Sequence, residues 1–200
     1  MKSNAPSLVA NIPQHKEATL STTFTLHPRA QFDQAGIMVL VDDNNKDDNE
    51  SVGSWVKAGI EYTDGHPCLS CVVTNDGYSD WSTQRLPFNS SNEMDGEGKK
   101  VSIRIRVTKH LPGIEQGPCI TMEACQYKEG DTVDSPGDWY QVRIASLRGG
   151  SNWRMGVFSI SPIVQNGSKV EFHHVKLGSK VLPVHDAGIT SVSQRDAQPH

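Results

Sequence analysis

Trp55, Lys57 and Glu61 share one parity in a run where Val56, Ala58, Ile60 and Tyr62 take the other, so all three project from one face of a strand. Tyr78, Asp80 and Trp81 follow in a stretch dense in Gly, Tyr, Asp and Trp, expected as a loop able to close over that face. Arg104 and Arg106 stand on the polar side of a strand whose other side, Val101, Ile103, Ile105 and Val107, is wholly apolar. Aromatic rings stack on the apolar faces of sugars, and carboxylate, ammonium and guanidinium groups satisfy hydroxyls. The set Trp55, Lys57, Glu61, Tyr78, Asp80, Trp81 and Arg104 therefore fits a carbohydrate or small polar ligand. The same residues also allow a structural use. Trp55 and Trp81 would then cover the sheet, and Glu61 would pair with Lys57 or Arg104 in an exposed ladder of charge.

Other chemistries find less support. Glycoside hydrolysis needs two carboxylates across a cleft, about 5 to 9.5 Å apart, and Glu61 is the one carboxylate centred on a strand among aromatic and basic groups. Asp64 or Asp80 facing it would restore that reading. No Ser or Cys sits on a glycine-flanked elbow, so no nucleophilic triad is expected. The acidic stretch DDNNKDDNESVG, Asp42 to Gly53, fails the EF-hand pattern, since Asp48 falls where glycine is required and Ser54 where glutamate is required. A solvated hairpin loop is preferred there over a cation site built from Asp42, Asp43 and Asp47. Cys68 and Cys71 have opposite parity and would face opposite sides of a sheet, and Cys119 and Cys125 lie in another strand, so four packed thiols are expected rather than zinc ligands. His173 and His174 are expected as one core and one surface histidine. No catalytic residue, metal or cofactor is assigned.

The elements that must position these groups are strands. Period-two alternation marks Leu20–Leu26, Val56–Tyr62, Leu69–Val73 and Val101–Val107, and Gly36–Val41 is a continuous apolar run. Further strands are expected near 120–127, 139–147, 154–160 and 170–177, with a hairpin at Asp64-Gly65. No segment carries helical periodicity over three turns, so the class is all-β, a sandwich or closed barrel. A chain of 200 residues with net charge −4 has no basic footprint for nucleic acid, and no apolar run is long enough for a membrane span. Residues 1–17 are expected as a flexible N-terminal segment without a secretory core, 18–178 as the sandwich domain and 179–200 as a flexible tail. A cytoplasmic location follows as the expectation.

Three pieces, Phe32-Asp33-Gln34-Ala35-Gly36-Ile37-Met38-Val39, Trp55-Val56-Lys57-Ala58-Gly59-Ile60-Glu61-Tyr62 and Gly77-Tyr78-Ser79-Asp80-Trp81-Ser82, resemble the DUF1349 family, which includes the fungal regulation-of-enolase proteins. Looser matches follow at Val101–Val107, Trp139-Tyr140, Met155–Ser159 with Ser161-Pro162, and Val170–Phe172. The resemblance implies a concanavalin A-like lectin/glucanase fold, a jelly-roll sandwich of two antiparallel sheets. It carries no catalytic mechanism. Family members usually begin with a further segment that has no counterpart ahead of Ala18, so one edge of the sandwich is expected to be missing or the chain truncated. The function expected is non-catalytic binding of a carbohydrate or sugar-like metabolite that regulates carbohydrate metabolism. The alternatives are a protein-interaction regulator of a glycolytic enzyme and a glycoside-acting enzyme.

Overall fold

Two antiparallel sheets packed face to face carry the chain, and the computed structural model describes residues 7–42, 52–86, 94–95, 98–111, 118–148 and 150–179. The strands are β1 (Ser7–Ile12), β2 (Ala18–His27), β3 (Gln34–Asp42), β4 (Val52–Thr63), β5 (His66–Asn75), β6 (Tyr78–Arg85), β7 (Met94–Asp95), β8 (Gly98–Lys99), β9 (Val101–His110), β10 (Cys119–Gln126), β11 (Tyr140–Ser146), β12 (Trp153–Ile160) and β13 (Lys169–Gly178). One sheet has six strands in the order β1-β12-β3-β4-β5-β6; the other has five, β11-β10-β9-β2-β13, and β7 and β8 pair separately. This is an open jelly-roll sandwich, not a closed barrel.

The core lies between the sheets because period-two alternation turns one side of each strand inward. Ile37, Val39, Val56, Ala58, Ile60 and Leu69 meet Leu20, Phe24, Ile103, Ile105, Val107 and Met122 there. Lys109 also points inward and is buried, at the end of the sandwich. Its Nζ donates to the carbonyls of Gln14 (2.7 Å), Lys16 (2.6 Å) and Pro13 (3.4 Å) and sits 5.2 Å from the Trp153 ring centre. Those acceptors offset the desolvation of the ammonium and tie down the β1–β2 connection.

Asp33 does the same for the β2–β3 connection. Its carboxylate accepts the backbone N–H groups of Arg29 (2.7 Å) and Ala30 (2.8 Å) and the hydroxyls of Ser161 and Ser168. These hydrogen bonds hold the carboxyl below its ordinary value although burial opposes them. The Phe32-Asp33 and Ser161-Pro162 pieces of the family pattern are therefore structural partners.

Several expectations change. Ser7–Ile12, placed in a flexible segment by its sequence, is an edge strand paired along its length with β12. Tyr78–Trp81 is strand, not loop, because Asp76 and Gly77 both take positive φ (51° and 83°) and turn the chain back onto β5 in two residues. Asp64 and Gly65 do likewise (51° and 78°) between β4 and β5, so that turn also has two residues. His173 is skipped in the pairing of β13 with β2, and both His173 and His174 are exposed; His173 stacks on Tyr127 at 6.0 Å and neither enters the core. Asp43 and Asp47 of the acidic stretch, and residues 180–200 of the expected tail, lie outside the described residues. Among the described residues, no helix is long and apolar enough to cross a membrane.

Candidate functional site

Registers across the six-stranded sheet decide which side chains meet on its outer face. Starting from β12, one row reads Phe158, Gly36, Gly59, Ser70, Thr83. The row on one side reads Gly156, Met38, Lys57, Val72, Trp81, and the row on the other reads Ile160, Gln34, Glu61, Cys68, Arg85. Trp55 stands one row beyond Lys57, between Leu40 and Thr74. The row through Gly36, Gly59 and Ser70 has almost no side-chain height and forms a shallow trough between taller rows, bridged by the Lys57–Gln34 and Trp81–Glu61 contacts.

Glycine is required in that floor. A Cβ on Gly36 would run into the backbone of Ala58 and Gly59, and a Cβ on Gly59 into that of Ala35 and Gly36. Glu61 and Lys57 flank Gly59 on β4 and interact electrostatically. Burial pushes the Lys57 ammonium below its ordinary value, and the Glu61 charge works against that shift. Lys57 Nζ also donates to Gln34 Oε1 (3.3 Å) and lies 5.4 Å from the Trp55 ring centre and 6.0 Å from that of Phe158. Such cation–aromatic contacts favour the charged amine.

Trp81 reaches over the trough from the edge strand. Its Nε1 donates to Ser70 Oγ (3.1 Å) and to Glu61 Oε2 (3.2 Å), and Ser70 Oγ donates to the same carboxylate oxygen (2.5 Å). Glu61 is only 5% exposed, whereas Trp81 is 52% exposed. The buried carboxylate thus fixes the indole, and the indole keeps much of its ring surface free. The arrangement offers a flat apolar plate beside an amine and an amide that are hydrogen-bonded to each other, with the carboxylate buried beneath the indole.

Four of the seven residues named from sequence, Trp55, Lys57, Glu61 and Trp81, come together here. Tyr78 and Asp80 are on β6 with Trp81 but have the opposite parity, so they leave this face. Asp80 instead forms an ion pair with Arg143 of β11, which also donates to Ser82 Oγ (3.0 Å). Arg104 belongs to the other sheet. It is buried there against the strap 127–139, donating to the carbonyls of Gln126 (3.2 Å), Ser135 (2.6 Å) and Pro136 (3.0 Å) and to Cys125 Sγ (2.9 Å). Glu61 accordingly faces Lys57 and not Arg104.

Ser70, Gln34 and Phe158 were not named from sequence, and only the registers place them. Cys68 faces outward and Cys71 inward, as parity requires, and both are buried and free, as is Cys125. Burial raises the Cys71 thiol to about 11. Among the described residues, no group of three or more His, Cys, Asp and Glu is placed to hold a metal. A cavity of about 480 Å³ lies elsewhere, bounded by Asn11, His15, Asp42, Asn152 and Trp153, and contains none of the named residues.

An open two-sheet β-sandwich with an aromatic and charged trough on one outer face is the class of protein so defined. Comparison with known proteins makes it specific. The family model described as "Protein of unknown function (DUF1349)" matches residues 1–180, and the chain belongs to that family. It is 50% identical over 68 residues to "Regulation of enolase protein 1" of Saccharomyces cerevisiae, a stretch covering 31% of this chain and 29% of that relative. A solved structure of a functionally unknown protein from Saccharomyces cerevisiae superposes with a TM-score of 0.61 at 27% identity, covering 88% of this chain and 74% of that one. A bifunctional GH43-CE protein of Bacteroides eggerthii shares the fold, with a TM-score of 0.59 at 10% identity over 84% of this chain and 18% of that one.

Proposed function

We propose that the protein acts by recognition, as a regulator that contacts an enzyme of carbohydrate metabolism, enolase first among the candidates. The likeness to the yeast protein named for regulation of enolase carries this reading. A cytoplasmic setting goes with it, and free rather than bridged cysteines suit a reducing compartment. The test is direct titration of purified chain into enolase by calorimetry, beside enolase activity in cells with and without the gene. No heat of binding and no change in enolase activity would sink the proposal.

A second reading, a carbohydrate or sugar-like ligand in the trough, is favoured by the half-exposed Trp81 indole held beside Glu61 and Lys57. Trp81 and Trp55 would stack on sugar faces while Lys57 and Gln34 orient hydroxyls and the buried Glu61 holds the Trp81 indole in place. The trough would bind without reacting: Glu61 already accepts from Ser70 and Trp81, and Asp80 is held on the other side of β6 by Arg143. A glycan array identifies the ligand, and Trp81→Ala should weaken it about tenfold. A flat array, with no ligand raising the melting temperature, removes this reading and leaves the first untouched.

A further inference from the structure

The sandwich has four edge strands, and three of them carry features that discourage pairing. β13 is bulged at His173 and bears Lys169 and Lys176; β11 skips Val142 in its pairing with β10; β1 has six described residues. Bulges, lysines and short length are the usual protections of a free sheet edge. β6 has no bulge and no lysine, and its one inward-facing charge, Asp80, is paired with Arg143 of the second sheet. Its eight residues pair with β5 without a register shift, all eight are exposed, and the sequence YSDWSTQR contains neither lysine nor proline. Among the described residues, its far side pairs with no strand.

The outward row of β6 runs Ser79, Trp81, Thr83, Arg85. Trp81 has its N–H committed to Glu61 and Ser70, so it presents only carbon surface to a neighbour. Arg85 is exposed and, among the described residues, makes no hydrogen bond or ion pair. The two are four residues apart, roughly 13 Å along the strand. On the opposite side of β6 the Arg143 clasp to Asp80 and Ser82 fixes the strand against the second sheet, so the edge is held straight.

We propose that β6 is a docking edge for an extended peptide segment of a partner protein, which adds to the sheet as a seventh strand. Main-chain hydrogen bonds supply the attachment. Side-chain selection comes from an apolar residue beside Trp81 and an acidic residue, four positions away on the same face, opposite Arg85. This inference rests on the protein-contact reading above and specifies where and how that contact is made.

The probe is a set of three octapeptides, TTXTVTLT with X as Glu, Lys or Thr, ordered so that an antiparallel strand sets Leu beside Trp81 and X opposite Arg85, added to the full chain and followed by amide hydrogen exchange and by affinity. The Glu peptide should slow exchange across Tyr78–Arg85 and bind at least about threefold tighter than the Lys peptide. In Arg85→Glu, which alters an exposed side chain that makes no hydrogen bond or ion pair among the described residues, the preference should invert, with a melting curve confirming that the variant is folded. Three results would overturn the proposal. One is that no peptide slows exchange in β6. Another is an unchanged peptide order in Arg85→Glu. The third is protection of β6 without peptide that grows with protein concentration, which would make a second copy of the chain the occupant. Calorimetric binding of enolase with β6 exchange unaltered would keep the protein-contact reading and reject this edge as its site.

Discussion

Replacing Arg104 with methionine keeps most of the stem and removes the guanidinium donors that fasten the strap 127–139 to β9, leaving the Lys176–Asp134 ion pair (2.7 Å) from β13 in place. The carbonyls of Gln126, Ser135 and Pro136 each lose a guanidinium donor, Asp131 loses a cation 3.5 Å away, and Trp139 loses a cation 5.5 Å from its ring centre. Because Arg104 is 2% exposed, water does not replace those bonds without opening the strap. At about 1 kcal/mol for each carbonyl left unpaired, the loss is about 3 kcal/mol. For a domain of this size that lowers the melting temperature by roughly 6 to 12 °C. Arg104→Lys keeps the charge but lacks the planar fork, so it should fall between the two. Thermal and urea denaturation give the magnitude, and hydrogen exchange should show the strap opening first. A methionine variant melting within about 2 °C of the parent, or a lysine variant indistinguishable from it, would refute the clasp.

Two further outcomes follow from the packing and the ionisation. Gly36→Ala should cost about 2 kcal/mol or more in urea denaturation, because the added Cβ meets main chain of the neighbouring strand and nothing flexible can yield. An unchanged midpoint would mean that the strands part without penalty. Burial holds the His110 imidazole below its usual 6.5, against the opposing charges of Glu17 and Glu123. Its folded value is depressed, so the stability it supports is complete above the unfolded value and declines as pH falls below it. The melting temperature should therefore drop between about pH 7.5 and about pH 5.5. His110→Gln, able to keep a hydrogen bond to Thr121, should flatten that slope. An equal slope in both proteins would assign the dependence to other groups.

The legible parts of the fold were those where burial imprints the sequence. Val101 to Val107 alternates cleanly because one side of β9 meets the core and the other does not. Trp55, Lys57 and Glu61 were placed on one face for the same reason. β6 escaped notice because an edge strand exposed on both sides has no burial to record; its signal was Asp76-Gly77, a two-residue turn dipeptide. Once β6 is a strand, alternation itself separates Trp81 from Tyr78 and Asp80. A bulge erased the parity of His173 and His174, since one skipped residue resets the period.

Strand period, turn dipeptides and face membership within one strand are local properties, and the sequence alone determined them, along with the family pattern. Which strands become neighbours is a long-range choice. β4, β5 and β6 lie side by side, so Glu61, Ser70 and Trp81 converge from three strands into one hydrogen-bonded unit. β9 instead pairs with β2 and β10, which carries Arg104 to the opposite sheet and under a strap. Side-chain parity says which residues look the same way from a strand; only sheet order and register say what they look at.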